Sequence, residues 1–393
     1  MIPKLTRAVL AAFVLLPASA LAADSGSEFV SRLRAITQQY DQIANRDISS
    51  SPVSLGEARE KYGNALRAAA AAGAHSQELR EYAEIFVLSG GDASLLKPWD
   101  EGLEPGSKEK KLFDGIMAYG TGRTYEAKPT LLALNAKSFD SMRGGHLSLA
   151  QALLSLRGNP ELAFSHFDAV RFILPGTLVE EAALRQTALL AAKTNNKERF
   201  LGAVDSYFGR FPRSAYIDGF EVQLVFHIAR FSDPDALFIL QNLLATRPRG
   251  WSRCLSCFLT SLAEQAIILG KPGLASAAAT AAMPLVPDDA PQKQRLLLYH
   301  GSALVVTDSF DKAIETLRAI KEESLDQQDA GLLRASFAIA AKLRATPVLL
   351  NRSEIEALAS NTPKQNRVFA RSRRREEARA ALATADALLT KAK

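Results

Sequence analysis

Five short segments recur along this chain at nearly constant spacing, and each is built to start a helix. They are Asn159-Pro160-Glu161-Leu162-Ala163, Asn196-Lys197-Glu198-Arg199-Phe200, Asp233-Pro234-Asp235-Ala236-Leu237, Lys271-Pro272-Gly273-Leu274-Ala275 and Ser309-Phe310-Asp311-Lys312-Ala313, with first residues stepping by 37, 37, 38 and 38. A proline in the first helical turn loses nothing by lacking an N–H, and a short polar residue ahead of it, such as Asn159 or Asp233, can cap the helix. The stops recur too. Pro175, Pro212, Pro248 and Pro287 lie 12, 12, 11 and 12 residues beyond Ala163, Phe200, Leu237 and Ala275, and each ends a short helix and sets a turn. About twenty residues then precede the next start, enough for a second helix of four or so turns. The unit is a pair of antiparallel helices. One pair cannot cover its own apolar faces, whereas stacked pairs share a continuous core and curve to expose a concave surface.

Outside these segments the pattern is also helical. Leu147, Ala150 and Leu154, with Leu149, Leu153 and Leu156, recur three and four residues apart and give one wide apolar face. No run alternates apolar and polar residues between turns, so strands are not expected. Small and large residues fall in a familiar order: Gly158, Ala163, Phe167, Val170 and Pro175 in one unit, Gly270, Ala275 and Pro287 in another, Gly301, Phe310, Ala313 and Ile320 in a third. This order resembles tetratricopeptide repeats, with a period a few residues longer than usual and no unit matching every position. The expected fold is all-α, with tetratricopeptide-like helical hairpins stacked into a right-handed superhelix, an α-solenoid.

Four regions are expected. Lys4 and Arg7, the apolar run Ala8 to Leu16, Pro17 and the small-residue sequence Ala20-Leu21-Ala22 read as a secretory signal peptide over residues 1–22. Its apolar run is about half of what a bilayer-spanning helix needs, and no later segment supplies one. The reading places the protein in the periplasm. Residues 23–106 form an N-terminal helical cap, with helices over Ser27 to Ile43, Leu55 to Ala72 and Ser76 to Leu88 and an irregular joint from Gly90 to Gly106. Residues 107–345 form the repeat array, beginning with the helix, small turn and helix around Gly122. Residues 346–393 form a C-terminal basic helix, set off by Pro347 and Pro363. From Lys364 onward nine Lys or Arg face three acids, which leaves the rest of the exported chain near neutral. Arg371, Arg373, Arg374, Arg375 and Arg379 crowd the start of that helix and are candidate partner contacts for an acidic partner or an anionic surface.

Chemistry is scarce. No phosphate-binding loop, dinucleotide fingerprint, zinc-protease motif or nucleophile elbow occurs. His75, His146, His166, His227 and His300 are scattered singly and read as packing residues. Glu180 and Glu181 are the most visible carboxylate pair, but neighbours on a helix point about 100° apart and cannot flank a sugar ring. Salt bridging at a repeat interface is the better reading. Cys254 and Cys257 form a Cys-x-x-Cys pair. No βαβ pattern surrounds it, which leaves a local disulfide or two buried thiols ahead of thiol exchange, and zinc would need two further ligands that are not nearby. No catalytic, metal or cofactor site is expected. Nucleic acid is disfavoured, because the arginines lack interleaved aromatics.

Two segments, Arg143-Gly144-Gly145-His146-Leu147-Ser148-Leu149-Ala150-Gln151 and Leu174-Pro175-Gly176-Thr177-Leu178-Val179-Glu180-Glu181-Ala182-Ala183-Leu184-Arg185, resemble the periplasmic motility (chemotaxis) protein family MotC of rhizobia and related α-proteobacteria. That resemblance implies a flagellar motor accessory, needed for rotation, that associates with the periplasmic part of the stator protein MotB. The alternative is a general envelope adaptor or assembly factor of the same architecture.

Overall fold

A computed structural model describes residues 18–45, 54–246, 254–307 and 309–345. Every regular element among them is helical. The helices begin where a short side chain meets the free backbone amides. Ser54 accepts from Glu57 N while Glu57 accepts from Ser54 N, a reciprocal capping box. Ser76, Ser107, Asp140, Asn159 and Thr177 each accept from an amide three residues on. Two turns show how one hairpin is folded back. Gly122 (φ 75°) and Gly270 (φ 64°) adopt the left-handed conformation, and the next amide returns to the helix just ended, Arg123 N to Ala118 O at 2.8 Å and Lys271 N to Ala266 O at 2.8 Å.

The chain divides into two compact units, one comprising residues up to Thr194 together with Gly202–Ile217, the other Asn195–Leu201 and the residues from Asp218 onward. The first holds α1 (Ala18–Asn45), α2 (Leu55–Ala71), α3 (Gln77–Leu88), α4 (Lys108–Gly120), α5 (Thr124–Leu132), α6 (Ser141–Ser155), α7 (Pro160–Ile173) and α8 (Leu178–Lys193), with a short 3-10 helix over Ala93–Trp99. α4 pairs with α5 and α6 with α7, while α3 packs on both α4 and α6. One apolar cluster runs from Val30 to Leu154 and includes Ala93, Leu96 and Trp99. The irregular segment is therefore anchored in the core, and the Trp99 indole N–H donates to the Ala74 carbonyl at 3.1 Å. Gln151 of α6 closes the end of α5 by donating to the Leu131 and Leu134 carbonyls at 2.7 and 2.8 Å.

An ionic cluster lies inside this unit. Arg143, 5% exposed, donates to Glu109 at 2.7 Å and Glu84 at 3.4 Å, pairs with Glu81 at 3.1 Å, and is hydrogen-bonded to Asp140. It joins α3, α4 and the start of α6. Burial pushes the Glu84 carboxyl up to about 7, overriding the attraction of Arg143 and Arg80. The pairing is loose, since Arg80 Nε stands 3.6 Å from Glu84 and both Arg80 Nε and Glu84 Oε1 are buried without a hydrogen bond. Asp140 moves the other way: burial is the largest single influence and opposes its charge, but the side-chain and backbone hydrogen bonds from Arg143, with the Arg143 charge, together overcome it and hold the carboxyl below the usual carboxylate range.

The second unit contains α11 (Asp233–Thr246), α12 (Leu255–Ile268), α13 (Pro272–Ala282), α14 (Pro291–Leu304), α15 (Phe310–Arg318) and α16 (Gln327–Ala345), together with α10 (Ile217–Ile228) from Asp218 on. α12 pairs with α13 and α14 with α15. α13 also meets α11, and α14 also meets α12 and α16, so each hairpin packs on the next. Ala275, Ala278, Ala279 and Ala282 of α13 are completely buried, because small side chains let neighbouring helices approach closely. Arg295 binds Glu264 of α12 at 3.0 Å and Asp329 of α16 at 2.8 Å, and the Tyr299 hydroxyl donates to Asp329 at 3.0 Å. Three helices, α12, α14 and α16, are thereby pinned by one side chain.

Asp233 departs from its expected role. Ser232 caps α11, accepting from Asp235 N at 3.3 Å, while the Asp233 carboxylate reaches the next hairpin and accepts from Gly273 N at 3.0 Å and Leu274 N at 2.9 Å. Lys271, which precedes α13, makes no side-chain cap of its own. The anion thus satisfies two open amides at the positive end of a neighbouring helix. Asp233→Ala should cost about 1 kcal/mol in urea unfolding, the worth of a lost cap. Gly273→Ala should act likewise, because its Cβ would stand 2.6 Å from that carboxylate.

Candidate functional site: an apolar groove beside a disulfide

The carboxylates singled out in the sequence are structural ties. Glu180 accepts from Gly176 N at 2.6 Å and from Arg210 at 2.7 Å. Glu181, completely buried, accepts from the Tyr207 hydroxyl at 2.7 Å, the Ser214 hydroxyl at 3.0 Å and Arg185 at 3.2 Å. The two side chains diverge, each knotting the start of α8 to α9 (Lys197–Arg210) or the turn after it. Burial drives the Tyr207 hydroxyl well above its ordinary pKa, and the adjacent Glu181 charge adds to this, so the hydroxyl keeps the proton it donates.

The histidines do not converge. His146 is buried, which lowers its pKa, and its Nδ1 lies 2.8 Å from the Met142 carbonyl, so Nδ1 carries the proton of a neutral ring. Burial likewise lowers His166 and His300, the latter beside Ser276 at 3.1 Å. His75 stands edge-on to Trp99. Among the described residues no three His, Cys, Asp or Glu side chains are grouped so as to hold a metal ion. No described helix is long and apolar enough to cross a membrane. Residues 1–17 of the expected signal peptide, Pro248, and residues 346–393, expected to form a basic helix with Arg371, Arg373, Arg374, Arg375 and Arg379, lie outside the described residues.

The surface best suited to a partner lies between α10 and α12. Val222, Val225, Phe226, Phe258 and Ile268 line a groove of about 410 Å³, together with Asp218, Glu221 and Glu264. Val222 is 70%, Phe226 47% and Ile268 59% exposed. Neighbouring large apolar side chains left in water are the usual mark of a protein-contact surface, since covering each one gains about 1.5–3 kcal/mol. The sequence points to the concave face of the array as a contact surface; periodicity shows which residues could be apolar on α10 and α12 but not which ones the neighbouring hairpin leaves uncovered, so the groove's residues cannot be named from it. Cys254 and Cys257, joined by a disulfide, also line the groove. Both cysteines are solvent-exposed. Its exposed apolar side chains, flanked by Asp218, Glu221 and Glu264, suit the groove to contact another molecule.

Comparison with known proteins points one way. Residues 6–393 match the family described as "Chemotaxis protein MotC". A relative named Chemotaxis protein MotC, from Rhizobium meliloti (strain 1021), is 29% identical over 261 residues, which is 65% of this chain and 58% of that relative. The aligned region therefore spans a little over half of the relative's length.

Proposed function

The chain belongs to the MotC family, and from that membership we propose that it is a periplasmic scaffold of the flagellar motor, required for rotation, that binds the periplasmic part of the stator protein MotB. The exposed apolar groove between α10 and α12 carries the structural side of this reading, because it offers a protein partner a ready contact surface. The stacked hairpins support it further: they present side chains from successive helices on a rigid frame. In this proposal residues 1–22 direct export, 23–106 cap the array, 107–345 form tetratricopeptide-like repeats that wind into a right-handed superhelix, and the basic helix of 346–393 supplies a second contact through its arginines.

Deletion of the gene should abolish swimming while flagella still assemble, and normal swimming by the deletion strain would refute the proposal. A pull-down from periplasmic extract should recover the stator protein. The double substitution Val222→Asp and Phe226→Asp should weaken binding to a MotB periplasmic fragment about tenfold, or about 1.4 kcal/mol. Its melting temperature should fall only slightly, because Val222 is mostly exposed and Phe226 about half exposed, and helical circular dichroism should be retained.

A further inference from the structure

We infer that the Cys254–Cys257 disulfide is a thiol–disulfide exchange site whose substrate is a cysteine thiol of another polypeptide. The bond lies open to solvent at both sulfurs' residues, where a thiolate can reach it. Cys254 occupies the position just before α12, and its sulfur accepts from the Cys257 amide at 3.2 Å and lies 3.4 Å from the Ser256 hydroxyl. Once the disulfide opens, the same contacts stabilise a thiolate on Cys254 at the positive end of a helix. Asp218, Glu221 and Glu264 line the same groove and oppose that charge. The Cys257 amide acts on the Cys254 sulfur through a direct hydrogen bond at 3.2 Å.

A structural role explains the bond less well. It bridges a separation of only three residues, and short loops constrain the unfolded chain least. The core residues of the same helix, Leu259, Leu262 and Ala263, are fully buried, whereas the two cysteines are exposed. The groove that the disulfide helps to line exposes Val222, Phe226 and Ile268, which can seat apolar residues flanking an incoming cysteine.

In the reaction the incoming thiolate attacks the Cys254 sulfur. A mixed disulfide forms as the Cys254–Cys257 bond breaks, and its electron pair leaves on the Cys257 sulfur, which takes up a proton. A second thiol of the substrate then attacks the substrate sulfur of the mixed disulfide and releases the Cys254 thiolate. The substrate loses two electrons and becomes a disulfide; the Cys254–Cys257 pair gains them as a dithiol.

The test uses the exported chain with its disulfide intact and contains no motor protein, so its result is separate from the fate of the motor assignment. In native buffers of graded reduced and oxidised glutathione, quenched with acid and read by alkylation and mass, the pair should be reduced and reoxidised reversibly with unchanged helical circular dichroism. Reduction that requires denaturant would overturn the inference. Cys257→Ala, whose remaining thiol is Cys254, should form a mixed disulfide with oxidised glutathione at pH 6.5 at least tenfold faster than Cys254→Ala; equal rates would count against it. A dithiol peptide with Leu and Phe beside its cysteines should reduce the native disulfide several-fold faster than one flanked by Gly and Ser, and a ratio near one would remove the polypeptide as substrate.

Discussion

Replacing Arg143 by methionine should cost about 3–5 kcal/mol in equilibrium unfolding, the range expected when one partner of a buried charge cluster is removed. The side chain is nearly covered, and the groups it serves come from three places in the sequence: Glu81 and Glu84 on α3, Glu109 on α4, and Asp140 at the start of its own helix. Without the guanidinium, Glu84 stays completely buried, with Arg80 at 3.6 Å as its remaining cation among the described residues and Glu109 opposing its charge. The loss should depend on pH in a definite direction. The folded-state pKa of Glu84 is raised to about 7 by burial, so its protonated form favours folding. That contribution is complete below the unfolded carboxyl value and is lost as pH rises through about 7. Removing Arg143 takes away an attraction that restrained this rise, so the variant should be most destabilised above pH 7 and less so near pH 5. Asp140 works oppositely: its depressed pKa contributes stability above the ordinary carboxylate range, and this disappears in the variant. Adding Glu84→Gln should recover part of the loss at pH 8 and little at pH 5. Equal loss at both pH values would place the damage in packing instead of charge.

The repeat rhythm was legible because it is written in local chemistry. Asn159 and Asn196 do cap their helices, each accepting from the amide three residues on, and Ala163, Phe167 and Val170 are completely buried where the spacing put an apolar face. Contacts between distant parts of the chain left no such trace. Arg143 meets Glu84 across 59 residues, and a lone arginine in the first turn of a helix looks in sequence like an ordinary surface charge. Asp233 has the form of a cap for its own helix, and nothing local reveals that it turns to Gly273, 40 residues away. Glu180 and Glu181 were partly legible: helical geometry required their divergence, but their partners Arg210, Tyr207 and Ser214 became identifiable only once the next helix was in place. The candidate groove was hidden for a related reason, since Phe226 and the buried Phe220 have the same composition and differ only in what covers them.

Gly144→Ala and Gly145→Ala should each destabilise the protein by about 2 kcal/mol, against the direction that helix propensity dictates. In an open helical position, exchanging Gly for Ala stabilises by about 0.5–1 kcal/mol, because glycine loses more backbone freedom on folding. Here the space is taken. A Cβ on Gly145 would stand 2.2 Å from Leu174 Cδ1 and 2.4 Å from its Cγ, and Leu174 is itself buried at the end of α7. A Cβ on Gly144 would stand 2.6 Å from the Ala136 carbonyl oxygen, a main-chain atom with no rotamer to escape into. Overpacking of this kind costs about 1–3 kcal/mol, enough to reverse the gain in propensity. The two sites should respond differently to a second change. Leu174→Ala should offset much of the Gly145→Ala loss, giving a clear coupling in a double-mutant cycle, whereas no side-chain truncation relieves Gly144. Gly202 supplies the control. It lies inside the helix Lys197–Arg210 with nothing within 4 Å of its would-be Cβ, and Gly202→Ala should stabilise by the full propensity difference of about 0.5–1 kcal/mol. Denaturant unfolding of the three variants therefore turns on sign alone, and a stabilised Gly144→Ala would mean that α6 does not pack against Ala136 as described.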